Sequence, residues 1–398
     1  MNSQHKKRNL WIIIGITVLN AIGMTIVFPL FPFLLEKYVP ATQVAVVMSA
    51  LVSVFAVCTF FAAPIFGALS DRYGRKPVLL ISLFGSVIGY VLLGVGGALW
   101  VLFLGRIIDG LTAGNQSALF AYITDSTEPD ERGKWFGYIG GAIGLGFMIG
   151  PAIGGLFGSA SITLPFFITA GITLFSMLCF WLLLPESLPA EKRTTHLTLQ
   201  SFNTFSHFKE VFSLKDARSL LIMGAFFYVG LNIWQFNATI FLKDVFNWGP
   251  KFIGGMFVLV GICDILSRVI LLPQMLKRWS DRTVGIIGLC GLVAGLALIF
   301  ISAYIPSMVF IIAAVACIVL GEGLFDPSYN ARLSLSVDES KQGLLQGANQ
   351  SLQALYHVIV PLGAAAIYTY SHSAVFAIAA LLMVGGLVLF VRLKTKKA

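Results

Sequence analysis

Charge is scarce in this sequence. Asp, Glu, Lys and Arg make up only 11% of its 398 residues, whereas 57% are hydrophobic. A soluble globular domain carries about 25% charged residues, so this composition excludes a chain whose whole surface faces water. We expect instead a protein surrounded largely by lipid, in which the 40 glycines let helices pack closely.

Residues for covalent or metal chemistry are also missing. The five cysteines all lie in apolar runs and none forms a CxxC pair, which excludes a disulfide framework and a cysteine metal site. The sequence has no nucleotide-binding loop, no cluster of metal ligands and no nucleophile with its base. We therefore expect no enzyme activity, no metal and no cofactor, and we exclude ATP as the source of energy.

Long apolar runs are what the sequence has instead. A helix needs about 20 apolar residues to cross the hydrocarbon core of a membrane, and twelve runs reach this length. They lie at 10–35, 44–66, 78–97, 99–123, 135–158, 163–184, 217–243, 250–276, 283–303, 307–334, 344–370 and 373–392. The sequence therefore predicts an all-α membrane protein with twelve transmembrane helices.

The basic residues are distributed unevenly between the loops. With twelve spans and both termini on one side, 21 of the 27 Lys and Arg residues fall on that side and 3 on the other. Positive charge accumulates on the cytoplasmic side of membrane proteins. We therefore predict a multi-pass protein of the cell membrane with both termini in the cytoplasm, whose first run is a span and not a cleaved signal.

A polar stretch divides the chain into two halves. We predict a cytoplasmic loop at 185–216 between a six-helix bundle at 1–184 and a second at 217–398. A Ser-Asp-Arg tripeptide follows the second run, at 70–72, and the eighth, at 280–282. Two six-span units in parallel orientation are the architecture of one class of secondary transporter.

The loop after the second run carries the most specific motif. It reads Gly67-Ala-Leu-Ser-Asp71-Arg72-Tyr-Gly74-Arg75-Lys76-Pro77. This arrangement resembles the signature loop of the major facilitator superfamily. The resemblance implies that Asp71 locks a cytoplasmic gate against the eleventh span near Gly343, with Arg132 as a partner. An anchor at the anionic inner leaflet is the alternative role of these charges.

The fourth span begins with a motif of the same family. The segment Leu104-Gly105-Arg106-Ile-Ile-Asp109-Gly110 resembles its buried-arginine motif. Because Arg106 and Asp109 are three residues apart on a helix, they can form an ion pair. A role in proton coupling is the alternative for Asp109.

The fifth span resembles the motif of the exporters in this family. It reads Gly144-Leu-Gly146-Phe-Met-Ile-Gly150-Pro151-Ala-Ile-Gly154-Gly155. Glycines at every fourth position make a flat ridge and Pro151 kinks the helix, so that two bundles are expected to rock against each other there. Ordinary packing of small residues is the alternative.

The first span, with Asn20-Ala-Ile-Gly23, resembles the drug:proton antiporters with twelve spans and, within them, the tetracycline-resistance efflux proteins. Those exporters carry acids in the first, third and ninth spans, where this chain has Asn20, Gly89 and Leu292. The resemblance implies proton-coupled efflux, whereas tetracycline and the proton route of those exporters are not implied.

Acidic residues inside the spans are the candidates for proton coupling, because a charge in a membrane is costly and usually functional. Our candidates are Asp109, Glu322 and Asp326. The last two lie four residues apart on one helical face, where mutual repulsion favours a proton on one of them. Asp264 and Arg268, also four residues apart, are interpreted as a structural ion pair.

Amide and aromatic side chains of the spans are candidates for lining a substrate cavity. We assign this role to Asn20, Gln116, Tyr228, Asn232, Gln235, Phe236, Gln350, Gln353 and His357. For each of them a hydrogen bond between helices is the alternative.

The function predicted from the sequence is proton-driven export of drug-like or amphipathic small molecules by alternating access, as in multidrug efflux and antibiotic resistance. The alternatives are a proton-coupled uptake symporter for a small metabolite and a lipid or glycolipid exporter. The expected partners are a small-molecule substrate, protons and the lipid bilayer, without nucleic acid, and we expect a monomer.

Overall fold

The computed structural model describes residues 3–113, 115–193, 215–337 and 342–392, and all regular structure in these ranges is helical. The α-helices are α1 (Ser3–Ile26), α2 (Phe31–Leu35), α3 (Ala41–Tyr73), α4 (Arg75–Val95), α5 (Leu99–Leu111), α6 (Asn115–Ser126), α7 (Pro129–Gly158), α8 (Leu164–Leu183), α9 (Lys215–Phe246), α10 (Pro250–Ile265), α11 (Leu272–Leu276), α12 (Asp281–Ser302), α13 (Met308–Ser334), α14 (Gln342–Tyr370) and α15 (Ala374–Arg392). Short 3-10 helices lie at Phe28–Leu30 and Ala190–Lys192, and a π-helix at Leu266–Leu271 joins α10 to α11.

Eleven helical stretches in the described ranges are long and apolar enough to cross a membrane. They coincide with eleven of the twelve predicted runs, which confirms an all-helical, multi-pass membrane protein. The predicted run 99–123 differs, because α5 ends at Leu111 and Thr112 and Ala113 are not helical. In the described ranges this predicted span therefore consists of two shorter helices, α5 and α6.

The described residues form two compact units. The first takes in residues up to 41, 51–203 and 249–258, and the second takes in 42–50, 204–248 and the chain from 259 onwards, as far as these are described. The first turns of α3 and of α10 are thus each grouped with the other half. The predicted boundary loop at 185–216 lies mostly outside the described residues and stays a prediction.

Apolar side chains from five helices form the core of the first unit. Ile13 of α1, Tyr122 of α6 and Phe180 of α8 are almost completely buried there, and Val78 of α4 and Trp135 of α7 pack with them. α1 lies along α7 and α8, and α4 along α5 and α8. Burial of this apolar surface stabilises the unit.

Glycines bring two helices of the second unit into backbone contact. A Cβ atom added at Gly288 of α12 would lie 2.7 Å from the carbonyl oxygen of Gly321 in α13, and one added at Gly295 would lie 2.8 Å from that of Ala314. Small residues permit this close approach of membrane helices. The close packing of α12 and α13 fixes the position of the C-terminal half of α13, which carries Glu322 and Asp326.

Candidate functional site

A group of three carboxylates surrounds one guanidinium in the second unit. Arg268 donates from Nε to Oδ1 of Asp264 at 2.6 Å. Its Nη1 lies 3.6 Å from Oδ2 of Asp326, and its Nη2 lies 3.9 Å from Oε1 of Glu322. We call these four residues the Arg268 cluster. The two residue sets that the sequence separated, an ion pair and a pair of acids, are one site.

The charges of the Arg268 cluster do not balance. Three carboxylates face a single guanidinium, and the four side chains keep between 23% and 37% of their surface exposed. Like charges at this separation disfavour full ionisation of the group. The arrangement is therefore suited to binding and releasing a proton, or to binding a cationic group.

The two acids of α13 differ in their hydrogen bonds. Asp326 accepts hydrogen bonds at Oδ1 from the hydroxyl of Tyr228 and from Nδ2 of Asn330, both at 3.0 Å. Glu322 has no hydrogen bond within the described ranges and only the distant contact with Arg268. Asp326 is therefore held in place by two neighbouring side chains, whereas Glu322 is the acid of this pair without a hydrogen bond in these ranges.

The first unit holds a separate and balanced ion pair. Nη1 of Arg106 lies 3.3 Å from Oδ2 of Asp109, and the hydroxyl of Ser86 donates to Oδ1 of Asp109 at 2.7 Å. Both charged residues are more than nine-tenths buried. The guanidinium also lies 3.9 Å from the ring centroid of Phe55, which is a cation–π contact. One cation, one anion and an aromatic ring indicate a structural role.

The positions of the missing acids have different surroundings. A Cβ atom added at Gly89 would lie 2.8 Å from Cβ of Asp109, so α4 and α5 touch there and leave no room for a side chain. Leu292 is fully buried. Oδ1 of Asn20 is buried without a hydrogen-bond partner in the part of the chain that is described. The structure thus accommodates an acidic side chain poorly at positions 89 and 292.

The predicted loop after the second span is helical except at Gly74, and this junction of α3 and α4 is built around Arg75. Its Nη1 donates to Asp71 at 2.5 Å and to Ser70 at 3.0 Å, and its Nε donates to Asp125 at 3.0 Å. The contact of Asp71 that is seen is therefore with Arg75 of the same loop. The predicted lock with Arg132 and Gly343 stays a prediction, because the surroundings of these two residues lie outside what the structure describes.

Glu186 was not predicted as a partner of this loop. Its carboxylate accepts from the main-chain N–H groups of Arg75 at 2.8 Å and Lys76 at 3.1 Å, the first turn of α4. A carboxylate at a helix N-terminus satisfies free N–H groups and the positive end of the dipole. Nζ of Lys76 in turn donates to the carbonyl oxygens of Trp181 and Leu184.

Gly74 makes the contact with Glu186 possible. Its φ of +104° is unfavourable for residues with a side chain, and a Cβ atom there would lie 2.7 Å from Cδ of Glu186. Gly67, by contrast, has open space around it. The guanidinium of Arg72 lies over the ring of Tyr73, and both are exposed.

The glycine ridge of α7 packs against α1 in the same unit. A Cβ atom at Gly146 would lie 2.6 Å from the backbone of Ala21, and one at Gly150 would lie 2.6 Å from the carbonyl oxygen of Ile22. Thr25 donates to the carbonyl oxygen of Gly146 at 2.7 Å. Gly154 meets the backbone of α1 in the same way, at Ile26.

Gly155 lies on a second face of α7. Its added Cβ atom would lie 2.9 Å from Cα of Gly254, and one at Gly254 would lie 2.5 Å from the carbonyl oxygen of Pro151. Gly254 belongs to the segment 249–258, which is part of the first unit. The exporter-like motif therefore serves two close helix contacts. Its expected role in rocking between bundles stays a prediction.

The proposed cavity residues do not share one environment. Tyr228 contacts the Arg268 cluster through its hydrogen bond to Asp326, and the ring of Phe236 meets that of His357 edge to face at 5.8 Å. Asn232 is buried, donates to the carbonyl oxygen of Tyr228, and leaves Oδ1 without a hydrogen bond in the described ranges. The side chains of Gln235 and Gln350 are exposed, that of Gln353 is half-buried, and that of Gln116 lies outside the described residues.

Comparison with known proteins gives one family. The model described as Major Facilitator Superfamily matches residues 13–361. The tetracycline resistance protein of class H from Pasteurella multocida is 34% identical over 92% of this chain and 90% of its own length. Multidrug resistance protein 2 from Bacillus subtilis (strain 168) is 27% identical over 94% of this chain and 92% of its own length.

Solved structures with the same fold include transporters of different substrates. A D-xylose–proton symporter superimposes with a TM-score of 0.79 at 16% sequence identity, covering 98% of both chains. The human organic anion transporter MFSD10 (TETRAN) superimposes with a TM-score of 0.70 at 22% identity, covering 97% of this chain and 99% of its own. At such identities the likeness establishes the fold.

Proposed function

Because this chain belongs to the Major Facilitator Superfamily of membrane transporters, we propose that it exports drug-like, amphipathic small molecules in exchange for protons. Relatives that it matches over most of their length are tetracycline and multidrug resistance proteins. The proposal includes alternating access by a protein of the cell membrane with both termini in the cytoplasm, which the uneven distribution of Lys and Arg supports.

The observation that carries the proton step is the charge imbalance of the Arg268 cluster. In exchange transport one group must bind a proton on one side of the membrane and release it on the other. Glu322 meets this requirement, because it has no hydrogen bond within the described ranges and lies near one shared cation. Asp326, fixed by its hydrogen bonds with Tyr228 and Asn330, lies on the same turn of α13, and two nearby carboxylates disfavour a full negative charge on both.

Asp109 is assigned a different task in this proposal. Its carboxylate is buried and pairs with Arg106 and Ser86. Protonation of Asp109 would leave the buried guanidinium of Arg106 without a counter-charge, which is costly. Asp109 therefore maintains the first unit, and the second unit carries the proton.

The experiment uses purified protein in liposomes with ethidium and tetracycline as separate probes. An exporter that exchanges protons accumulates the probe when the vesicle interior is acidic and releases protons as the probe enters. A symporter accumulates it when the exterior is acidic. Accumulation with an acidic exterior, or no response to either gradient for any compound of a wider drug panel, contradicts the proposal.

The proton carrier is tested in the same vesicles. We expect Glu322→Gln to lose transport driven by the pH gradient and to retain exchange of labelled for unlabelled probe, since that exchange moves no net proton. Asp281→Asn, an exposed acid at the first turn of α12, is the matched control and should behave as the parent protein. Full gradient-driven transport by Glu322→Gln shows that the assignment is wrong.

A further inference from the structure

The helix that carries Arg268 is not regular. Between α10 and α11 the chain forms a π-helix at Leu266–Leu271, in which the N–H of Leu272 donates to the carbonyl oxygen of Ser267. The next residue, Pro273, has no N–H and its ring collides with an ordinary helical carbonyl four residues earlier, which accounts for the wider turn. π-Helical turns are rare and occur frequently at functional sites.

Gly323 of α13 lies directly against this π-helix. A Cβ atom added at Gly323 would lie 2.8 Å from Cβ of Ser267, closer still to its hydroxyl oxygen, and 3.4 Å from Cγ of Arg268. Ser267 is completely buried. No atom can be added at this contact unless the two helices move apart.

The contact lies beside the Arg268 cluster. Gly323 follows Glu322 in the chain and precedes Asp326 by three residues, so the glycine and both acids belong to the same turn of α13. The distances from Arg268 to Asp326 and Glu322 are 3.6 and 3.9 Å, close to the limit of an ion pair of about 4 Å. A small displacement between the helices therefore removes these two contacts.

The pair of Arg268 with Asp264 responds differently. Asp264 lies on the same segment as Arg268, at 2.6 Å, and moves with it. Withdrawing the segment from α13 leaves Glu322 and Asp326 next to each other without their nearby cation. In the described ranges, the charged groups that act on Glu322 are Arg268 and Asp264 on the other helix and Asp326 on its own helix.

We propose that Gly323 is a positioning residue, whose contact with Ser267 in the π-helix holds Arg268 against Glu322 and Asp326 and so sets the pH range of proton exchange. This inference rests on the proposed function, because it requires a proton on Glu322. The glycine touches neither the proton nor the substrate, and it acts through Arg268.

The test is the pH profile of ethidium transport in liposomes for Gly323→Ala. Withdrawing the cation favours the proton on Glu322, so we expect the midpoint of gradient-driven transport to move to higher pH by about one unit. Exchange of labelled for unlabelled ethidium should keep its parental rate. Gly255→Ala, with open space around the added methyl group on the neighbouring helix, is the control and should leave the profile unchanged.

A rescue variant separates positioning from general damage. Ser267→Gly removes the atoms that an alanine at position 323 would meet, so the double variant Ser267→Gly with Gly323→Ala should return the midpoint towards the parental value. An unchanged midpoint in Gly323→Ala, or a rate lowered equally at every pH, overturns the inference. If Gly323→Ala does not fold, Ser267→Thr adds one methyl group from the other side of the contact, and an unchanged midpoint there overturns it equally.

The two proposals fail in distinguishable ways. If Glu322→Gln keeps full gradient-driven transport, the proton carrier is wrong and the positioning role fails with it. If Glu322→Gln abolishes that transport while Gly323→Ala keeps the parental midpoint, the positioning role alone is wrong.

Discussion

The hydroxyl of Tyr228 donates a hydrogen bond to Asp326 at 3.0 Å, and this bond joins α9 to the acidic turn of α13. The ring of Tyr228 also packs edge to face against Tyr329 at 5.9 Å. The position of the tyrosine is thus fixed independently of its hydroxyl, so that the hydroxyl can be removed without moving the ring.

Tyr228→Phe is therefore expected to weaken proton coupling while the protein stays folded. A hydrogen bond to a charged group contributes about 1.5–3 kcal/mol, so its loss weakens the positioning of Asp326 beside Glu322 and Arg268 by an amount that corresponds to roughly a tenfold change in an equilibrium constant. We expect gradient-driven ethidium transport to fall by about tenfold and exchange without a gradient to persist. Tyr304→Phe removes the hydroxyl with which an exposed tyrosine contacts Ser373, and it should have no effect; equal losses in the two variants contradict the prediction.

The buried ion pair of the first unit predicts a loss of stability. Asp109→Asn leaves the guanidinium of Arg106 buried without its counter-charge, which costs about 3–5 kcal/mol. We expect a clearly lower melting temperature in detergent. The comparison is Asp264→Asn, whose carboxylate is 31% exposed and should lower the melting temperature less. Similar melting temperatures for the two variants are incompatible with a structural role of Asp109.

The glycine ridge predicts a contrast within α7. Gly150→Ala places a methyl group 2.6 Å from the carbonyl oxygen of Ile22, whereas Gly144→Ala meets open space. Overpacking of this kind costs about 1–3 kcal/mol, so Gly150→Ala should unfold at a lower temperature. Because alanine is otherwise the better helix former, Gly144→Ala should be neutral or slightly stabilising. Equal melting temperatures for the two variants would contradict this prediction.

The carboxylate at the N-terminus of α4 predicts a smaller effect. Glu186→Ala removes the acceptor of the Arg75 and Lys76 N–H groups, and loss of a helix cap costs about 1 kcal/mol. Thermal unfolding should shift to lower temperature and the segment after α8 should become more sensitive to protease. Glu191→Ala changes an exposed acid five residues further on; a shift of the same size in that variant argues against capping.

Much of the fold follows from the pattern of the sequence. Apolar runs of sufficient length predict spans because a membrane demands internally bonded helices, and eleven of the twelve predicted runs appear as such helices. The interruption after Leu111 was not predicted. The run is apolar on average although it contains Arg106, Asp109 and Gln116, and average hydropathy does not register a local loss of helical backbone geometry.

The candidate site was predicted only in part. Spacing of three or four residues correctly paired Arg106 with Asp109 and Arg268 with Asp264, because a helix places such residues on one face. The same reasoning assigned Arg268 to Asp264 alone and gave Glu322 and Asp326 no cation. Partners from another helix depend on helix packing, which has no signature in local spacing.

Glu186 and Gly323 show the same limit. Nothing in the sequence near Glu186 indicates that it accepts from the first turn of α4, more than one hundred residues earlier. Gly323 is one glycine among 40, and only its distance from Ser267 singles it out.

The sequence by itself determined the lipid environment, the helical spans and which acids lie within them, since these follow from the cost of placing polar groups in hydrocarbon. The tertiary structure decided which of those acids have a matching charge. It buries Asp109 with its own arginine and makes Glu322 share one with two other acids. The difference arises because the electrostatic energy of a carboxylate depends on distances across helices, and these are set by packing at glycine contacts.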